Sequence, residues 1–333
     1  MPPDTTMDPQ NACEEGLQSE SPRLPFPTEG AKTVREMIGT LDSFPQHGDS
    51  RRLDHYAFTI EGYAEPFGIV HKDIQEDIPW PGCWKINDKP RTLHLMARNR
   101  DDAGRLLDDT IEGIREKGRI KGLGKRKKRA LFTIKFENGH HIRDKYVCHI
   151  DVAGWQIFGL IAFGVGVIGR ESGQYWFQQR SWRREMHPGK LDMMAGGGIE
   201  DDEEPWGAAI REAEEEAGVP RAYSGEHLQP CGTVSYHLAW SHLNKPGSFP
   251  HVIHLFEIEV SDIPVKNDGE VEGFERMAEN QVLDELYLGR FKPILFMQLA
   301  SYLSGKGALD IDKDLVPRMH RRLVEDGAWT SDA

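Results

Sequence analysis

The chain has 333 residues, 38% of them apolar, with 8 Trp and 14 Phe, enough for a sizeable core in one large domain or two ordinary ones. Its 54 acidic and 41 basic residues leave a net charge of −13, which excludes duplex nucleic acid as a partner held by the overall field. Cys13, Cys83, Cys148 and Cys231 are far apart and form no CxxC pair, which argues against a zinc site or disulfide framework and points to a reducing compartment.

Residues 1–30 are rich in Pro, Glu, Ser and Asp and predict a disordered tail. They show no basic region followed by an apolar one, so no signal or transit peptide is expected, and cytoplasm is the expected location. A globular pattern starts at Ala31. VREMIGTLDSF predicts a short helix, and 55–78 mixes strand-like and helix-like pieces. Trp80, Trp84 and TLHLMA (92–97) supply core material. Leu106, Leu107, Ile111 and Ile114 recur at helical spacing and predict a helix over 100–118, with Asp101 and Asp102 as candidate caps. The basic stretch 117–130 reads as a solvated loop or helix end, with a nuclear-localisation signal or anion patch as the alternative. LFTIKF and HIRDKYVCHI flank ENGH, a hairpin turn.

The second half alternates more clearly. The apolar run 154–169 predicts a strand and is too short for the roughly 20 residues of a membrane span. QYWFQQRS (174–181) predicts another strand, followed by a Gly-rich loop with a short strand over 189–200. A helix is expected over 203–219, closed by Gly218 with Pro220 beyond. Strands follow at 232–240 and 251–260, then helices at 277–288, 292–307 and 314–326. The order predicts α+β or an α/β sandwich rather than a doubly wound parallel sheet.

The segment with chemical content is GGIEDDEEPWGAAIREAEEEAGV, which ends at Val219. On a helix, Glu212, Glu215 and Glu216 sit at i, i+3 and i+4 and share one face. Such a row repels itself by a few tenths of a kcal/mol per pair. A divalent cation with hard oxygen ligands removes that cost. Arg211, one turn before Glu215, can orient a carboxylate by a bidentate bond, and Glu203 at the helix start is its distant partner. Gly196, Gly197 and Gly198 let backbone approach an ion or phosphate closely. The alternative is a Glu-rich surface helix.

From Gly197 to Val219 this segment resembles the Nudix box, G-x5-E-x7-R-E-U-x-E-E-x-G-U, at every fixed position, with the small Ala213 at the first U. The resemblance implies an α/β/α sandwich with a mixed sheet and hydrolysis of a diphosphate bond with Mg²⁺ or Mn²⁺. It makes Glu212, Glu215 and Glu216 metal ligands, one of them a candidate base. The Gly197 carbonyl is an extra ligand, and Arg211 and Glu203 are the brace.

FGLIAFGVGV, WFQQRS, HPGKLDMMAGGGI, GTVSYH, DGEVEGF and FKPILFMQLASYLSGKG resemble, more narrowly, fungal and plant Nudix proteins related to the Nudix part of fungal thiamine pyrophosphokinases. That resemblance implies a smaller N-terminal α+β domain of unknown role (31–145) and a Nudix domain with C-terminal helices (146–326). It also implies removal of phosphate from damaged, oxo- or oxy-, thiamine diphosphate to give the monophosphate. The subfamily usually carries His, Lys, Tyr and Ala where Gly166, Arg184, His187 and Gly196 stand here.

Outside the box, Glu270 and Glu272, in the Gly-bearing loop NDGEVEGF after a strand, resemble the additional acidic position many Nudix enzymes bring to the metal; the alternative is a solvated acidic turn. Arg180 and Lys190 are candidate phosphate binders, with surface ion pairs as the alternative. Trp176 and Tyr236 are read as core ahead of ring stacking. His251 and His254, three apart on one strand, point to opposite faces and form no metal pair. The expected partner is a small-molecule diphosphate, with no membrane. Rival functions are a nucleoside-diphosphate hydrolase acting on ADP-ribose or an oxidised nucleotide such as 8-oxo-dGDP, and a non-catalytic Nudix-fold binding protein.

Overall fold

The computed structural model describes residues 33–323 apart from positions 47, 125, 185, 242, 244 and 268. The expected tail, 1–30, lies outside the described residues.

Helix α1 (Val34–Leu41) starts at a capping box. Glu36 N donates to Thr33 Oγ1 at 3.2 Å, and Thr33 N donates to the Glu36 carboxylate at 2.8 Å, so two orphan donors are satisfied. Strands β1 (His55–Ile60) and β2 (Gly68–His71), the single turn α2 (Lys72–Gln75), and strands β3 (Trp84–Asn87) and β4 (Thr92–Leu95) then form a four-stranded sheet in the order β2-β1-β4-β3. Helix α3 (Arg100–Lys117) buries Leu107, Ile111 and Ile114. Its cap is Asn99, whose side chain accepts from Asp102 N at 2.9 Å, in place of the expected Asp101 or Asp102. Asp102 is held instead by Arg98 and Arg105. Strands β5 (Lys128–Glu137) and β6 (His140–Asp151) form the expected hairpin. Asn138 and Gly139 both take positive φ, as the tight turn requires.

The predicted strand over 154–169 is corrected. Its first part is the helical turn α4 (Ala153–Ile157), and the strand is β7 (Ala162–Glu171). Ile157, Phe158 and Leu160 fill the N-terminal core beside Phe58 and Trp84. An apolar run is buried in either conformation, so its pattern did not separate the two.

The main sheet adds β8 (Gln174–Arg180), β9 (Leu191–Met193) and β10 (Ala195–Gly198), then helices α5 (Pro205–Ala217) and α6 (Arg221–His227), strands β11 (Gln229–Leu238), β12 (Phe249–Glu259) and β13 (Val271–Ala278), and helices α7 (Glu279–Leu288), α8 (Leu295–Gly305) and α9 (Val316–Met319). The order is β11-β12-β7-β8-β13, with β10 on β7 and β9 on β8. β7 and β12 run parallel and the other pairs antiparallel, so the sheet is mixed, as the resemblance implied. Alternate residues serve two cores. Val165, Val167, Phe256 and Ile258 face Ala208, Ala209 and Ala213 of α5. Ile168, Phe177 and Leu255 face Leu295, Leu299 and Leu303 of α8. Two helical layers therefore sandwich the sheet.

Two further expectations are corrected. Residues 271–278, read as a loop and helix start, are the outer strand β13, whose exposed charges obscured its period. Helix α6 was not foreseen. The predicted helix 314–326 is only α9, because Arg321 N bonds Ser235 O at 2.9 Å and draws the chain onto β11; residues 324–326 lie outside the described residues. α1 packs in the α8 core, and its C-terminal neighbour Asp42 is buried between Arg318 and Arg321.

Candidate active site

Helix α5 begins at Pro205, whose missing N–H costs nothing in the first turn, and closes at Gly218 in the left-handed conformation. Its alanines pack on β7 and β12, which fixes the roll of the helix. The acidic row is thereby turned toward β10 and the loop 199–204.

Arg211 ties this row together. Its Nε and Nη2 donate to the two Glu203 carboxylate oxygens at 2.7 and 2.9 Å. Nη1 donates to Glu212 at 2.7 Å and Glu215 at 3.0 Å, and Nη2 also donates to Gly198 O at 3.0 Å. The Arg211 bond lowers the Glu203 pKa, and the carboxylates raise that of the guanidinium. Glu203 in turn accepts from Glu200 N at 3.0 Å.

The three row carboxylates differ. Glu215 has half of its side chain exposed. Glu212 is buried beside Gly197, and a Cβ added there would have to displace its carboxylate. Burial raises the Glu212 pKa despite the Arg211 contact. Glu216 is 7% exposed and accepts from Gly196 N at 2.7 Å and Gln178 Nε2 at 2.8 Å. Burial pushes it up to about 8.

Among the described residues no three His, Cys, Asp or Glu side chains converge on one point as a ready metal cage. The donor set is nevertheless all hard oxygen, with a glycine cradle at Gly197, which fits Mg²⁺ or Mn²⁺ rather than a softer ion. Arg211 holds Glu212 and Glu215 by hydrogen bonds.

The residues expected outside the box lie elsewhere in the hydrogen-bond network. Arg180 is buried against Asp192 at 3.1 Å and also donates to Met186 O; Lys292 joins the same Asp192 at 2.8 Å. Lys190 donates to Gly289 O. Neither Arg180 nor Lys190 bonds a box carboxylate. Glu270 pairs with Arg184, and Glu272 is an exposed residue of β13 rather than of a loop. Trp176 and Tyr236 are buried in the cores. His254 is stacked near Phe163, and His251 lies against Tyr236.

Two site residues escaped the sequence reading. Gln178 stands two places before Arg180 on β8, and that period-2 spacing was an available signal. Arg143 of β6 donates to Glu200 O at 2.8 Å and to Glu203 O. Nothing in a sequence separation of 60 residues announces that contact.

A mixed sheet between helical layers, with a carboxylate helix braced by one arginine behind a glycine strand, defines a sandwich built to gather acidic oxygens at one helix face. Residues 160–296 match the family model for the NUDIX domain. The matched part carries the carboxylate helix, and the region before it holds its own sheet. An uncharacterised protein of Saccharomyces cerevisiae is 27% identical over 192 residues, 52% of this chain and 56% of its own length. Nudix hydrolase 20, chloroplastic, of Arabidopsis thaliana is 28% identical over 197 residues, 57% of this chain and 49% of its own. The solved MutT protein from Methanosarcina mazei Go1 is 20% identical over 41% of this chain and 91% of its own, with a TM-score of 0.32. The chain spans about half the length of the curated relatives it matches.

Proposed function

We propose that this chain is a divalent-metal-dependent hydrolase of phosphoric anhydride bonds. Its substrate is a small organic diphosphate, with oxo- or oxythiamine diphosphate cleaved to the monophosphate as the first reading. The observation that carries the hydrolase is the Arg211 bridge, which joins Glu203, Glu212, Glu215 and the Gly198 carbonyl beside the Gly197 cradle. The thiamine reading rests on the flanking segments alone. ADP-ribose or an oxidised nucleotide is the second reading, favoured by the same box. Nudix hydrolase 20 is named chloroplastic, whereas cytoplasm is proposed for this chain; no described helix is long and apolar enough to cross a membrane.

Glu212, Glu215, Glu216 and the Gly197 carbonyl would hold the cation. When bound, it supplies charge neutralisation at the diphosphate oxygens and a water of lowered pKa. Glu203 holds Arg211, and Arg211 keeps Glu212 and Glu215 oriented. Glu216 is kept in one rotamer by Gly196 N–H and Gln178, and its burial keeps a proton on it until it gains a positive partner. In such a site positioning and electrostatics lower the barrier without a covalent nucleophile. The proposed division is 31–145 and 146–326, with α1 packed onto the later unit.

The test is turnover of low-micromolar diphosphates with Mg²⁺, wild type against Glu215→Gln. The variant is expected to lose activity by about 100-fold or more. Unchanged turnover sinks the carboxylate mechanism. The thiamine reading fails when oxythiamine diphosphate is no better a substrate than ADP-ribose or 8-oxo-dGDP.

A further inference from the structure

The region before the family match has a cleft of its own. A volume of about 460 Å³ lies between the loop that joins β1 to β2, the first residue of α3 and the hairpin β5–β6. That volume falls within the roughly 300–1,000 Å³ of pockets that take a small molecule. Every residue of its wall falls between Gly62 and Lys145, so none comes from the carboxylate helix or from the sheet beneath it.

Part of the wall is aromatic. Phe67 is buried and packs on Phe58 of the N-terminal core. Tyr63 meets Phe67 edge-on, with ring centroids 5.2 Å apart. Tyr63 is only partly buried, and its hydroxyl has no hydrogen-bond partner among the described residues. Ile134 of β5 adds an aliphatic surface.

The rest of the wall is charged, with three cations against two carboxylates. Lys135 bonds Asp144 at 2.9 Å and lowers its pKa, and Lys145 adds to that field. Arg100, Lys145 and Glu65 are exposed, and among the described residues none of the three forms an ion pair. Asp101, next along α3, lines the adjoining groove rather than this cleft. One positive charge is therefore in excess here, in a chain whose net charge is −13.

We propose that this cleft is a second binding site, separate from the carboxylate row, for a small flat aromatic anion whose one acidic group is a carboxylate or a phosphate ester. A guanidinium takes either group by two parallel hydrogen bonds, and the ammonium adds a point charge. The ring of the ligand packs on Tyr63 and Phe67. Glu65 opposes a ligand with several acidic groups. The site goes beyond the hydrolase reading and does not depend on it.

The test is calorimetric and fluorescence titration of the full chain in EDTA with 2-naphthoate, 2-naphthyl phosphate, 2-naphthamide and acetate. One of the two naphthyl anions is expected to bind at least about fivefold more tightly than both the neutral amide and the ringless acetate, and the tighter anion names the acidic group. Arg100→Gln and Lys145→Gln, both at exposed positions, are each expected to weaken that anion about three- to tenfold and to leave the amide unchanged. Tyr63→Ala is expected to weaken anion and amide alike. Glu215→Gln is expected to bind as the wild type does. An amide or acetate bound as tightly as the anions overturns the assignment, as does wild-type binding by both charge variants. A loss of binding in Glu215→Gln equal to that in Arg100→Gln places the anion at the carboxylate row and also overturns it. No turnover is read, so a failed diphosphate assay leaves this outcome standing.

Discussion

Glu215 and Glu216 are neighbours in sequence and opposites in environment. Glu215 is half exposed, whereas Glu216 is buried and pushed up to about 8 from an ordinary 4.5. Between those values the folded chain keeps a proton at Glu216 that the unfolded chain has released. Stability therefore falls as pH rises across that window, by up to about 1.4 kcal/mol per unit. Buried histidines such as His141 and His55, lowered to about 4, act in the other sense below their ordinary 6.5. The expected outcome is thus a difference: in EDTA, melting temperature declines more steeply from pH 5 to 8 in the wild type than in Glu216→Gln. Parallel curves would remove the buried proton from the account. The glycine and carboxylate spacing was legible in the sequence, but the inequality among the carboxylates was not. It depends on which residues roll under β10, and that is set by Ala208, Ala209 and Ala213 packing on the sheet.

At the scale of elements, the hairpin β5–β6 bears on the box loop. Its turn was written in Asn138 and Gly139, whereas its destination was not. Arg143 fixes the Glu200 and Glu203 carbonyls, and Glu203 fixes Arg211. Arg143→Met removes both donors and leaves the acceptors in a partly closed site. Urea denaturation is expected to show a loss of about 2–3 kcal/mol. A fall in kcat of about tenfold with little change in KM is expected as the brace loosens. Arg143→Lys, with one ammonium for a fork, is expected to recover only part of either loss. A Met variant with wild-type kcat would confine Arg143 to a stabilising role. The misread elements fail for stated reasons. The apolar run before β7 was equally suited to helix or strand, and β13 is an outer strand with charges along its exposed positions.

At the scale of the molecule, the two ends of the described chain are joined. Asp42 is fully buried, contacts Arg318 and Arg321, and accepts from His237 N at 3.1 Å. Asp42→Ala leaves the Arg321 guanidinium buried beside carbonyls with its carboxylate gone. A loss of about 3–5 kcal/mol in denaturant titration is expected; under 1 kcal/mol would show that the Phe44 and Pro45 carbonyls suffice to hold Arg321. No spacing rule links residue 42 to residue 321, because a charge pair of that separation exists only once both ends are folded. The sequence by itself determined the acidic row, its arginine, the glycines behind it and the helix that carries them, since helical period and fixed offsets act within a few turns of chain. Tertiary structure alone decided which carboxylate is dry, that Arg180 and Lys190 bond away from the row, and that a hairpin 60 residues upstream closes on the box. Those outcomes depend on packing between segments, where burial and charge pairing act through space rather than along the chain.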